Sequence, residues 1–246
     1  MEPEAIAPLR GERVLTDRIY QSIKAAIVTL DLPPGTPLVE RNLAKRFEVS
    51  KSPVRDALQR LAGEGLVAQV PHRGMFVQSF DAQLVDELYE LRVALEELAI
   101  RLATPHMTPE TIAEGLTHLQ RAAEAISAGD RAAVSRANQA FHALFSRCSR
   151  NRPLHAALCG LQDRVRVIRM LGWTLGAPME QEHCEHEAIL DAVARGDSET
   201  ASRLMRDHID GFRKAYSRAA GSTGQTPISK DLSGHRQGGK FQSANI

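Results

Sequence analysis

Apolar residues return every three or four positions along most of this chain, the spacing of helices that bury one face. Leu15, Ile19, Ile23, Ile27 and Leu30 predict a first helix. DLPPGTPL ends it, because proline lacks the amide hydrogen a continuing helix needs. A short helix is expected over Glu40–Phe47. VSKSPVRDALQRLAGEGLV predicts a third, with Val54, Leu58 and Leu61 inward, Ser50 or Ser52 as N-cap, and Pro53 tolerated in the first turn. Gly63 and Gly65 close it. The period then changes: LVAQVPHRGMFVQ holds two β-prone runs around Pro71-His72-Arg73-Gly74, a hairpin signal with a basic tip. Six further helices are expected near 82–103, 109–128, 131–149, 153–172, 178–195 and 198–218. Thr108-Pro109-Glu110, Gly129-Asp130, Asn151-Arg152-Pro153 and Gly196-Asp197-Ser198 separate them.

The two ends lack this pattern. Residues 1–13, with Pro3, Pro8 and Gly11, read as a flexible arm, and residues 219–246, rich in Gly, Ser and Gln, as a disordered tail. Between them the charge balance shifts near residue 80. Residues 40–73 hold seven Lys/Arg against four Asp/Glu, and residues 81–103 two against six. A boundary there divides the chain into an N-terminal unit over 14–79 and an all-helical unit over 80–218. The fold class expected is mainly α, a winged helix-turn-helix joined to an all-α bundle.

Bulk composition narrows the classes of function only slightly. Net charge is +1, so any electrostatic footprint has to be local. Three cysteines make no disulfide framework and fit a reducing cytosol. No run of 18 apolar residues occurs, and MEPEAIAPLRGERVL is too charged for a signal peptide. The expectation is a cytoplasmic protein with no membrane partner.

Two constellations carry chemistry. In the first, Lys51, Ser52, Arg55 and Gln59 project from the start of the third helix, opposite its apolar face. Recognition helices present their N-terminal residues to base edges. Arginine pairs bidentately with guanine, while serine and helix N-terminal amides suit phosphate. Arg41 on the preceding helix is placed to reach backbone or base, and Arg73 at the hairpin tip to enter the minor groove. A solvated basic face would account for any one lysine here. Helix order, basic face and basic hairpin tip together favour double-stranded DNA.

In the second, three of nine histidines sit on inward stripes. His142 shares a face with Val134, Asn138, Phe141 and Phe145; His186 with Ile189, Leu190 and Val193; His208 with Leu204, Met205 and Phe212. The last two helices turn at Gly196-Asp197. His186 lies eleven residues before Asp197 and His208 eleven after, so an antiparallel pair sets them at one height. With Asn138 and His142 from a third helix, three imidazoles and an amide oxygen can converge. Imidazole suits zinc, nickel, copper or iron; a buried, hydrogen-bonded core histidine is the competing reading of each residue. His183 lies at the stripe's edge and Cys184 points away from the His186 face.

ERNLAKRFEVSKSPVRDALQRLAGEGLV followed by PHRGMFV resembles the GntR-type winged-helix regulators over residues 12–79. The resemblance implies that Arg41, Ser50, Lys51, Ser52 and Arg55 contact operator DNA and that Gly74 sits in the wing. Lys51 stands where arginine is commoner; it keeps the charge and loses the planar fork, which shifts its contact toward phosphate. ELYELRVALEELAIRLA, NQAFHALF and EHEAILDAVARGDSETASRLMRDHI resemble the FCD effector domain of the FadR-type subfamily over residues 84–215. Many such domains hold a divalent metal through an acid and three histidines. These positions map onto Asn138, His142, His186 and His208, with zinc or nickel the cofactor implied. Asn138 in place of the acid removes one negative charge, which weakens metal affinity and makes a bound metal more electrophilic toward an anion. The family's effectors are often small carboxylates. Arg92 and Arg169 are the candidate effector ligands, and an ion pair of Arg92 with Glu96 is the competing reading.

The function expected is a homodimeric, sequence-specific transcription regulator, a repressor by the family's commoner habit, controlled by a small carboxylate near a divalent metal. It is not expected to be an enzyme. A metal-dependent hydrolase and an effector-independent DNA-binding dimer are the alternatives.

Overall fold

A computed structural model describes residues 10–222. Helix α1 (Arg10–Val28) leads to α2 (Glu40–Phe47) and α3 (Lys51–Gly63). Strands β1 (Val67–Val70) and β2 (Gly74–Val77) pair antiparallel, Val67 opposite Val77 and Val70 opposite Gly74. The bundle consists of α4 (Ala82–Ala103), α5 (Pro109–Ser127), α6 (Arg131–Cys148), α7 (Arg152–Thr174), α8 (Met179–Ala194) and α9 (Ser198–Ser222). No helix among the described residues is long and apolar enough to cross a membrane.

Two expectations at the ends need correction. Residues 10–13, assigned to the loose arm, form the first turn of α1. Pro8 is the last proline there, and Gly11 falls where a helix leaves its amides unbonded in any case. Residues 219–222, assigned to the tail, are helical, because Ala219 and Ala220 propagate α9. The rest of the expected arm and tail, 1–9 and 223–246, lies outside the described residues.

The reading head closes on Ile19, Ile23, Ile27, Leu38, Val54, Leu58, Leu61, Leu66 and Val77, all buried. The proline-rich segment after α1 does more than stop a helix. Gly35 N–H donates to Val77 C=O at 2.9 Å and Leu38 N–H to Met75 C=O at 2.8 Å, so the segment lies along β2 and braces the wing. Gly74 sits at φ +100°, a backbone that an L side chain rarely adopts, and lets the hairpin turn tightly.

Head and bundle meet at α7. Lys24 on α1 bridges Asp163 of α7 (2.5 Å) and Glu64 beyond α3 (3.0 Å). Tyr20 Oη donates to the same Glu64 at 2.7 Å. Burial opposes the Lys24 charge, but Asp163, Tyr20 and Glu64 outweigh it, and its pKa rises. Beside this bridge, a Cβ on Gly65 would stand 3.0 Å from Arg164 Cδ, so Arg164 of α7 lies directly against the turn that follows α3.

Candidate operator-reading face and buried histidine cluster

Ser50 occupies the N-cap position of α3 with extended backbone, but its hydroxyl makes no cap bond. The first amides of α3 therefore keep their hydrogen-bonding capacity at the surface, where a phosphate oxygen suits them. Arg41, Ser50, Lys51, Ser52, Arg55, Arg73 and Gly74 are all exposed. Arg55 is not idle: its Nε and Nη2 donate to both oxygens of Glu40 at 3.0 and 2.9 Å. Glu40, at the start of α2, thus holds the guanidinium fork in a fixed plane. Arg73 stacks over Phe76, its Cζ 5.8 Å from the ring centre, which anchors the wing tip.

In the bundle, the turn at Gly196-Asp197 sets α8 and α9 side by side, and the three inward histidines come together. His186 Nε2 lies 3.1 Å from His208 Nε2 and 3.2 Å from His142 Nε2. All three are buried. Burial holds the His142 imidazole down to about pKa 3 against the pull of Glu96, and burial with neighbouring His208 pushes His186 well below its ordinary value. Both are neutral at pH 7, the form that ligates a metal.

The cluster does not satisfy itself. His208 Nδ1–H donates to Glu185 Oε2 at 2.8 Å, so His208 Nε2 carries a lone pair. Arg92 Nη2 donates to His142 Nε2 at 3.0 Å, so that nitrogen also carries one. His186 Nε2 faces both and has at most one hydrogen for two acceptors, while its Nδ1 is buried without a partner. A cation between the three nitrogens would meet every lone pair. Ligand distances of about 2.0–2.1 Å with angles between right and tetrahedral put such nitrogens about 2.9–3.4 Å apart, which brackets the separations seen. The donor set fits a divalent metal, and Glu185 is placed as the carboxylate that orients a ligating histidine. Asn138 is buried one turn before His142, and no hydrogen bond among the described residues engages its amide.

Against the cluster lies a cavity of about 30 Å³ whose walls join the polar Arg92, His142, Arg166 and Arg169 to the apolar Leu158, Leu161 and Val165. Arg92 pairs with Glu96 (3.4 Å), the competing reading of this arginine, and also donates to His142. Glu96 Oε1 also lies 3.3 Å from His142 Nδ1. Burial raises the Glu96 pKa, yet His142 and Arg92 outweigh that and bring it to about 2. Arg169 faces Glu182 at 3.1 Å, and Trp173 Nε1–H donates to the other Glu182 oxygen at 3.2 Å. Glu182, Arg166 and the orienting role of Glu185 are absent from the sequence reading, and Glu96 enters it only as the partner of Arg92. Glu185 lies one residue from His186, and this adjacency was the available signal. His183 pairs with Glu187 outside the cluster, and Cys184 is exposed.

A winged helix-turn-helix head, carried on a helical bundle with a buried histidine cluster, defines a DNA-binding transcription regulator. Comparison with known proteins gives the family. The family of bacterial regulatory proteins named gntR matches residues 15–77, and the FCD domain matches residues 87–211. The HTH-type transcriptional regulator YdhC of Bacillus subtilis is 31% identical over 194 residues, covering 78% of this chain and 87% of YdhC. The HTH-type transcriptional repressor RspR of Escherichia coli is 26% identical, covering 82% of this chain and 88% of RspR. Among solved structures, E. coli McbR/YncC superposes with a TM-score of 0.71 at 23% identity, covering 83% of this chain and 97% of that one, a likeness of fold. The chain belongs to the GntR family, with an FCD domain as its C-terminal half. It is a transcription regulator and not an enzyme, and nothing supports the hydrolase alternative.

Proposed function

We propose that this regulator is a cytoplasmic, homodimeric repressor that reads a palindromic operator and responds to a small carboxylate bound beside a divalent metal, zinc or nickel. Arg41, Ser50, Lys51, Ser52, Arg55, Arg73 and Gly74 form the reading face. His142, His186 and His208 hold the metal, with Asn138 as the amide neighbour that replaces an acid. The unsatisfied convergence of the three Nε2 atoms carries the reading.

Arg92 gives the site its logic. A metal and the Arg92 guanidinium compete for the same lone pair on His142. An anion that accepts from Arg92 and Arg169 relieves this competition and supplies the negative charge that Asn138 lacks. Metal and carboxylate should therefore bind with mutual reinforcement, each raising the affinity for the other by the same factor. The bound metal supplies a Lewis-acid anchor for the carboxylate. A thermal-shift screen with a panel of small carboxylates, each with and without zinc or nickel, tests this. The expected result is a rise in melting temperature with metal and one carboxylate together that exceeds the sum of the separate rises. No stabilisation by any combination would remove the metal-and-acid site. Asn138→Asp should tighten metal binding in equilibrium dialysis; unchanged metal content would exclude position 138 from the ligand set. Genome-wide mapping of bound sites tests the operator half of the reading.

A further inference from the structure

The three cysteines of the described residues differ in what surrounds them. Cys148 is half-buried on α6, and burial pushes its thiol up, away from the reactive thiolate. Cys184 is exposed on α8 and makes no hydrogen bond among the described residues. Cys159 is exposed on α7 and faces an imidazole, its Sγ 3.6 Å from His155 Nε2. The two residues are four apart, so they stand one above the other on the same face of the helix.

A third side chain, from a different helix, fixes the ring. Ser146 of α6, at 1% exposure, meets His155 Nδ1 through its Oγ at 2.8 Å. The Ser146 hydroxyl donates to Ala143 C=O at 3.0 Å, which uses its single hydrogen. His155 Nδ1–H therefore donates to Ser146 Oγ, and His155 Nε2 keeps its lone pair on the side of the thiol. This is the tautomer that can accept the proton of Cys159. Thiol, imidazole and an orienting hydroxyl, in that order, are the parts of an activated nucleophile. Asp163, one turn beyond Cys159, would oppose a thiolate, but its two oxygens are taken by Lys24 and Arg166. Cys159 and His155 belong neither to the histidine cluster nor to the cavity beside it; Ser146 alone reaches the cavity wall.

We propose that Cys159, with His155 as its base and Ser146 as the group that orients the base, is a modification site for small soft electrophiles, hydrogen peroxide among them. The thiol proton passes to His155 Nε2. With peroxide, the thiolate sulfur attacks one oxygen and the O–O bond breaks. The departing hydroxide takes the proton from the imidazolium and leaves as water. Sulfur is oxidised to the sulfenic acid, and peroxide is reduced to water.

A brief exposure of the full chain to limiting iodoacetamide at pH 7, followed by mass spectrometry of its peptides, reads all three thiols in one molecule. Cys159 should be alkylated about tenfold faster than Cys184, with Cys148 slowest. His155→Gln removes the base and should bring Cys159 down to the rate of Cys184. Ser146→Ala frees the ring and should slow Cys159 about threefold. Unchanged rates at Cys148 and Cys184 would show that each variant keeps the fold. Should His155→Gln unfold the chain, the wild-type ranking and Ser146→Ala decide. Hydrogen peroxide with dimedone present should label Cys159 first. Equal rates at Cys159 and Cys184, a Cys159 advantage that survives His155→Gln, no effect of Ser146→Ala, or dimedone divided evenly between the two exposed thiols would each overturn the proposal. The contact would then be no more than the neighbourhood that a spacing of four residues gives any helical pair.

Discussion

Arg55 and Arg169 each face a glutamate at close range, 2.9 Å to Glu40 and 3.1 Å to Glu182. The first pair stands in solvent, with side-chain exposures of 56% and 29%; the second is sealed, at 3% and 5%. The difference divides the molecule. The reading head keeps its cations wet, so that exchanging Glu40 or water for DNA costs little. The bundle buries Arg92, Arg169, Glu96 and Glu182, and a buried ion tolerates neither loss of its partner nor an empty lone pair beside it. One region holds exposed contacts that exchange readily, the other a sealed network of paired charges.

This contrast should appear most strongly in stability. Glu182→Ala strands Arg169 and Trp173 Nε1 and is expected to cost about 3–5 kcal/mol in urea unfolding. Glu40→Ala should hardly move the midpoint. Equal losses would erase the distinction. Acid is the next probe, with metal stripped by chelator. His142 titrates near 3 in the fold against an ordinary value of 6.5, so between these the unfolded chain binds the extra proton and stability falls as pH falls. Glu96, lowered to about 2 from 4.5, adds a loss of the same sign at lower pH. Together they are worth on the order of a few kcal/mol, and His142→Gln should flatten the profile of melting temperature between pH 6.5 and 4. A wild-type profile already flat there would mean that the cluster is not buried in solution.

On the wet side the effects are on binding. Arg55→Ala should weaken operator binding by roughly ten- to a hundredfold and relax preference at one base pair, read by fluorescence anisotropy against operator variants. An unchanged curve would remove Arg55 from the base-reading set. Smallest is Lys51→Arg, which restores a planar fork and should change affinity by only about a fewfold while shifting preference toward guanine at one position.

The head was legible in the sequence because its function and its apolar pattern occupy opposite faces of the same helix. Val54, Leu58 and Leu61 face the core, which leaves Lys51, Ser52 and Arg55 outside. The His186–His208 convergence was legible for a geometric reason, the equal distance of both residues from the turn at Gly196-Asp197. The partners of the buried arginines were harder to read. Glu96 follows Arg92 by four residues, the spacing of an ordinary surface pair, and nothing local marks it as 5% exposed. Glu182 reaches Trp173 and Arg169 only because α7 and α8 reverse at a turn whose angle no periodicity encodes. At the ends of α1 and α9 helix propensity outweighs a loop-like composition, and the helices run past the bounds that composition suggests.

The contact of Lys24 with Asp163, and of Gly65 with Arg164, has a consequence for how the chain comes apart. Melting the head alone would take Lys24 from Asp163 and uncover the side of α7 that carries Arg164, and melting the bundle would uncover one side of α1. Neither half is then a thermodynamic unit in its own right, and heat should take both in a single calorimetric transition. A head cut free after residue 79 would keep its helices' sequence while losing the floor they stand on, so its melting point should fall below that of the whole chain.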